Sequence, residues 1–119
     1  MSKTNNIIDF LDAGIKAESF RQKTIANNIA NLETPDYRRY DVKFEELLAQ
    51  AIDRSGKADL SEVKSELYQP KTTEVKGNGN DVNLESEVGQ MVKNTIRHKM
   101  FIRLLSKKYR QLIEAINVK

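Results

Sequence analysis

Apolar side chains recur on alternating three- and four-residue steps near both ends of the chain and lose that rhythm in between. In the first segment Ile8, Leu11, Ile15, Ile25, Ile29 and Leu32 keep the step, with Glu18 and Gln22 in the two intervening positions. This is heptad spacing with a polar middle, and it predicts a helix from about Asn5 to Asn31. Asp9 and Asp12 come early and Lys16, Arg21 and Lys23 later, the charge order that complements a helix dipole. Thr34-Pro35 ends the element, because the proline ring disfavours helical geometry in the residue before it. The last segment is more regular: Val88, Met91, Thr95, His98, Ile102, Leu105, Tyr109, Leu112 and Ile116 hold the same spacing. Asn83 is its expected cap, Glu85 and Glu87 lie in its first turn, and Lys107, Lys108 and Arg110 lie near its end. Gly89 is its weak residue, about 1 kcal/mol worse than alanine inside a helix, which implies fraying or a close neighbour.

Between these segments, Asp41 to Arg54 reads as a short helix with Phe44, Leu47, Leu48, Ala51 and Ile52 on one side. Residues 55–80 carry Gly56, Pro70, Gly77 and Gly79. Their Leu67-Tyr68-Gln69 and Thr73-Glu74-Val75 textures fit either extended strands or a solvated loop. The expected fold is therefore mainly all-α: an elongated antiparallel coiled-coil hairpin of a helix in 1–32 and a helix in 83–119. Residues 33–82 supply a loop, the short helix and an irregular segment with room for β structure. Antiparallel pairing sets Glu18 and Gln22 opposite Thr95 and His98, Ile25 near Met91 and Leu11 near Leu105, a polar layer that fixes register at some cost in stability.

Composition narrows the picture. A chain of 119 residues holds one structural unit. Its 39% hydrophobic and 31% charged content compares with roughly 45–50% and about 25% in an average domain, so the core is narrow and a helix stripe finds part of its cover on another chain. Leu84, Val92, Ile96, Phe101, Leu104 and Ile113 lie outside the main seam and form a second apolar face for that purpose, which leaves the free subunit partly disordered. The absence of cysteine excludes disulfides and thiolate chemistry. The N-terminal residues lack the apolar run of a secretory signal, and no stretch is long enough to span a bilayer, so a soluble chain without direct membrane insertion is expected. A net charge of +3 does not argue for a nucleic-acid partner. The bases of the last helix spread around it without a DNA-binding motif, so none is expected. His98 has no acid or nucleophile beside it, and Gly77-Asn78-Gly79-Asn80-Asp81 lacks both the ligand positions of a calcium loop and the lysine of a phosphate loop. No catalytic, cofactor or metal residues are assigned, and the chain does not read as an enzyme.

The most distinctive stretch is Ala26-Asn27-Asn28-Ile29-Ala30-Asn31-Leu32-Glu33-Thr34-Pro35-Asp36-Tyr37-Arg38-Arg39. Asparagine competes for backbone hydrogen bonds and weakens this helix end, so something outside the helix must compensate. Ala26 and Ala30, one turn apart, leave room for another backbone. An ordinary helix end with asparagine caps is the simpler reading. This stretch resembles the signature of the flagellar rod and hook axial protein family. Arg21-Gln22-Lys23, Asp41-Val42-Lys43-Phe44-Glu45, Gly79-Asn80-Asp81-Val82-Asn83-Leu84-Glu85 and Leu104-Leu105-Ser106-Lys107-Lys108-Tyr109-Arg110 are similar to its proximal-rod member in particular. Asp36 departs from the glycine common in the family, and aspartate suits the third position of a type I turn.

The resemblance implies a structural subunit of the proximal rod, in the periplasmic space, that transmits torque. Its terminal helices would pack with other copies of itself, with other rod proteins and with basal-body ring or adaptor proteins. The implied assembly residues are Leu11, Ile15, Ile25, Asn27, Asn28, Ile29, Ala30, Asn31, Thr34, Pro35 and Tyr37 near the first helix. On the last helix they are Val88, Met91, Ile102, Leu105, Tyr109, Leu112 and Ile116. It also implies passage through the flagellar type III export apparatus without a cleaved signal, with Phe44 and Leu48 as the export motif, a spacing that Phe101 and Leu105 share. Heptads alone would serve a generic coiled-coil adaptor equally well.

Overall fold

The computed structural model describes residues 2–55 and 63–117, with side chains described from residue 7 and not over 52–55. Residues 56–62, including Gly56, and the side chain of Ile52 lie outside the described residues. Helix α1 spans Ser2–Ala30, strand β1 Asp41–Lys43, helix α2 Glu45–Ser55, strand β2 Glu66–Tyr68 and helix α3 Leu84–Asn117. The chain measures 67 × 29 × 14 Å, an extended shape set by the two long helices.

α1 and α3 pack side by side and antiparallel. Asn28 meets Glu87 at the closed end, Gln22 meets Asn94 at 2.6 Å, Ser19 meets His98 at 3.4 Å, and Phe101 packs edge-on to Phe10. The levels match the expected register, and the rotation of α3 does not. Its inward line runs through the buried Glu87 and Asn94 and the half-buried Phe101, whose ring lies 3.1 Å from where a Cβ on Gly14 would sit. Val88, Ile102, Tyr109 and Ile116, expected in the seam, are 47%, 43%, 50% and 76% exposed. Each step along a helix turns about 100°, so Val88, Thr95, Ile102 and Tyr109 sit one position round from Glu87, Asn94, Phe101 and Lys108. Met91, His98, Leu105 and Leu112 are partly buried and shared by both readings. Phe101, expected on the outer face, belongs to the seam.

The polar layer is ionic. Glu18, 2% exposed, accepts from Arg21 Nη1 at 2.9 Å and lies 3.2 Å from Arg97 Nε, so Arg97, outside the expected pair Thr95 and His98, faces it. A slip of one helical turn would bury this carboxylate without Arg97, a penalty that holds the register.

The middle segment covers one side of the hairpin. Val42, Phe44, Leu48 and Ala17 are buried, and Phe44 and Leu48 pack on Ala17 with Ala13 and Val63 at the margin. Asp41–Lys43, expected to begin the short helix, is a strand. It pairs antiparallel with Glu66–Tyr68, Val42 opposite Leu67, and the helix starts at Glu45. Thr73-Glu74-Val75 forms no strand. Asn83 caps α3 by accepting from Ser86 N at 3.0 Å. The helix runs unbroken through Gly89, and a methyl group added there would meet nothing within 4 Å, so neither fraying nor close contact accounts for this glycine within the chain.

Candidate assembly interface

Where α1 ends, the asparagine segment folds onto the residues that precede α3. Asn28 is fully buried, and its amide is fully used. Nδ2 donates to Tyr40 O at 2.8 Å and to Glu87 Oε1 at 3.2 Å, while Oδ1 accepts from Tyr37 Oη and from Tyr40 N, both at 3.0 Å. A side-chain amide offers two donor hydrogens and two acceptor lone pairs, so no capacity is left over. The weakness of asparagine inside a helix is thus offset by the chain's own loop.

Asn80 performs the matching task for the helix end. It is fully buried, and its Nδ2 donates to Asn31 O and Thr34 O, each at 2.8 Å. These carbonyls follow α1 and already accept from Thr34 N and Tyr37 N respectively, so Asn80 adds a second bond to each. Its Oδ1 accepts from Val82 N at 2.7 Å. Asn31 donates from Nδ2 to Asn27 O at 2.8 Å and accepts from Thr34 Oγ1 at 3.0 Å.

Charge closes the corner. Asp81, fully buried, accepts from Arg38 Nε at 2.9 Å and from Arg39 N at 2.6 Å. Glu87, 1% exposed, accepts from Arg39 Nε at 2.7 Å. Burial alone would lower the Arg39 guanidinium, but the hydrogen bond and charge of Glu87, with Asp41 and Asp81, outweigh it and raise its pKa. The Tyr37 hydroxyl is raised, first by burial, although the Asn27 amide donating to it works the other way.

The turn that makes this possible is tight. Tyr37 N donates to Thr34 O at 3.3 Å, and Asp36, in its third position, has φ 62°. A positive φ there is the type II arrangement, not the expected type I, and it places aspartate where glycine fits best. Gly79 (φ 86°) lies against it: a Cβ there would fall 3.2 Å from the Asp36 Cα, and Asp36 N donates to Asn78 O at 3.0 Å.

The residues assigned to assembly fall into separate places. Leu11 and Ile25 are buried in the seam, and Asn28 in the corner; Ile15, Ile29, Asn31 and Tyr37 are half-buried; Asn27, Ala30, Thr34 and Pro35 are exposed at the closed end. Val88, Ile102, Tyr109 and Ile116 are exposed along α3, with Met91, Leu105 and Leu112 beside them in the seam. Phe44 and Leu48 are interior. Arg38, Arg39, Tyr40, Asn80, Asp81 and Glu87 do much of the closing, and no pattern in the sequence assigns them that task; the Gly79-Asn80-Asp81 run beside a helix cap is the one signal that could have pointed to it. Among the described residues no cluster of side chains could hold a metal ion, and no helix is long and apolar enough to cross a membrane.

Comparison with known proteins gives this geometry a context. Residues 8–38, which include the asparagine segment, match the family model described as flagella basal body rod protein. Over 94% of its length the chain is 28% identical to the flagellar basal body rod protein FlgB of Bacillus subtilis (strain 168), covering 94% of that protein. It is 29% identical to FlgB of Borreliella burgdorferi over 99% of this chain and 98% of the relative. With FlgB of Escherichia coli (strain K12) the identity is 24% over 89% of each. A family match on the segment that builds the corner and similarity to FlgB proteins along nearly the whole chain agree: the chain is similar to the flagellar basal body rod proteins.

Proposed function

We propose that the chain is a strut of the proximal rod. α1 and α3 would stack against copies of itself and against other rod and basal-body ring or adaptor proteins to build a helical shaft that carries torque. The observation that supports this is the exposed line Val88, Ile102, Tyr109 and Ile116, apolar side chains at heptad spacing that the packing of the described residues does not cover. Unlike faces joined in this way propagate as an open helix, the geometry a rod requires. A periplasmic position and export through the flagellar type III apparatus without a cleaved signal complete the reading. Phe44 and Leu48 are inside the folded core, so as an export motif they would be read before the chain folds. A generic coiled-coil adaptor has no such need of the asparagine corner.

The test is complementation of a strain lacking the gene. Ile102→Asp and Tyr109→Asp should leave the purified chain folded, within about 0.5 kcal/mol of the parent because both sites are surface, yet give no completed rods and no swimming. Normal motility with either variant, or without the chain, would refute the strut.

A further inference from the structure

Resting on the rod-subunit reading, we infer that the uncovered side of the α1–α3 hairpin takes a helix of a different protein whose apolar stripe is flanked by carboxylates. The middle segment packs on the flank of the hairpin that carries Gln90 and Arg97, where Arg21 holds Glu45 and Arg39 holds Glu87. At about 100° per residue, the opposite flank presents Ile102, Tyr109 and Ile116 from α3 and, from α1, the half-buried Ile8 and Ile15. Two antiparallel helices with apolar side chains on a shared flank form a groove, which suits a third helix better than a flat lipid surface.

The groove's outer rim on α3 is cationic. Lys99, Arg103 and Arg110 are exposed beside the apolar line, and among the described residues none of them has an ion-pair partner. On the α1 rim, Asp12 is already held by Lys16 at 3.0 Å, and Lys23 is exposed. A second copy does not complement this rim. The described carboxylates on α2, Glu45 and Glu46, face Arg21 and Lys43, and α3 offers only the separated Glu85, Glu87 and Glu114. Two copies set groove to groove would oppose these cations mainly to cations or to the Asp12–Lys16 pair, with the exposed Asp9 the one further described carboxylate on the α1 rim. Complementary charge along a helix rim selects partners more than it adds affinity.

The probe is a synthetic amphipathic helix of about three heptads, with leucine and isoleucine at the seam and glutamate at the flanking positions, set against the same peptide with lysine there. Titrated into the purified full chain and followed by fluorescence anisotropy, the glutamate peptide should bind at least about tenfold more tightly at low salt, and the preference should shrink in high salt. A variant carrying Lys99→Glu, Arg103→Glu and Arg110→Glu, checked by circular dichroism for intact helix, should reverse the preference. Equal binding of the two peptides, no effect of the charge reversal, binding only to phosphatidylglycerol vesicles, or self-association through the groove would each overturn the inference. In cells the two readings separate: if the charge-reversed chain builds normal rods while the gene deletion does not, the acidic partner is refuted and the rod subunit stands.

Discussion

The closed corner and the far half of α3 solve opposite problems. At the corner most buried groups are polar and find partners inside the chain: Asn28 uses its whole amide, Asn80 bonds two carbonyls after α1, and Asp81 and one oxygen of Glu87 are met by Arg38 and Arg39, while the second Glu87 oxygen has no partner among the described residues. Along α3 the large apolar groups face outward, with Ile96 62% and Ile116 76% exposed. Buried polar groups are costly unless satisfied, so the corner has little tolerance for change. Exposed apolar groups cost little in the lone chain and gain much when covered. One region therefore closes the chain on itself, and the other is the face that the proposed assembly would cover.

Breaking the corner should have the largest effect on the isolated chain. Arg39→Ala leaves the Glu87 carboxylate buried opposite only an amide, and losing one partner of a buried pair costs roughly 3–5 kcal/mol. Urea unfolding of the purified variant measures it, and a loss below about 1 kcal/mol would mean that the corner is not the lock described. Asn28→Ala comes next, at about 2–3 kcal/mol, because Tyr40 N and O lose their partner in a buried site. Asn27→Ala, one residue away but exposed and holding only the Tyr37 hydroxyl at 3.0 Å, should change stability by less than about 0.5 kcal/mol. Equal effects of the two asparagine substitutions would erase the distinction between buried and exposed amides that sets the corner apart.

Heptad spacing and capping are local, so the two long helices, their antiparallel levels and the Asn83 cap are legible in the sequence. The seam of α3 is legible only to within one position round the helix, and the reason is physical. α3 carries two heptad lines that share Met91, His98, Leu105 and Leu112. The apolar line of Val88 and Ile102 outweighs Glu87 and Asn94 on any hydropathy scale. Glu87 and Asn94 are buried only because Arg39, Asn28 and Gln22 reach them from far along the chain. The strand Asp41–Lys43 is hidden likewise: its partner is Glu66–Tyr68, and the apolar period of Phe44, Leu47 and Leu48 extends the apparent helix backwards.

Asp36 probes the corner from the favourable side. Its φ of 62° is a conformation that glycine adopts without strain. Asp36→Gly should raise the unfolding free energy by roughly 0.5–1 kcal/mol, the strain relieved exceeding the entropy added to the unfolded chain. A destabilised variant would show instead that the Asp36 carboxylate beside Gly79 holds the turn.

The smallest expected effect lies on the covered side, where the pH response of Glu45 separates a surface ion pair from the buried ones. The hydrogen bond from Arg21 holds the Glu45 carboxyl below the usual glutamate range, against the opposing effect of burial. A carboxyl with a lowered folded-state pKa binds its proton more readily in the unfolded chain, so its contribution is present above the ordinary glutamate value and fades as the pH falls through the folded one. Because the Glu45 side chain is 63% exposed, solvent screening reduces that contribution to roughly 0.3 kcal/mol. Glu45→Gln should therefore cost a few tenths of a kcal/mol at neutral pH and progressively less as the pH falls below the ordinary glutamate value, a trend that urea curves run side by side resolve. A cost above about 1 kcal/mol at neutral pH would place this pair with the corner, as part of what holds the subunit closed.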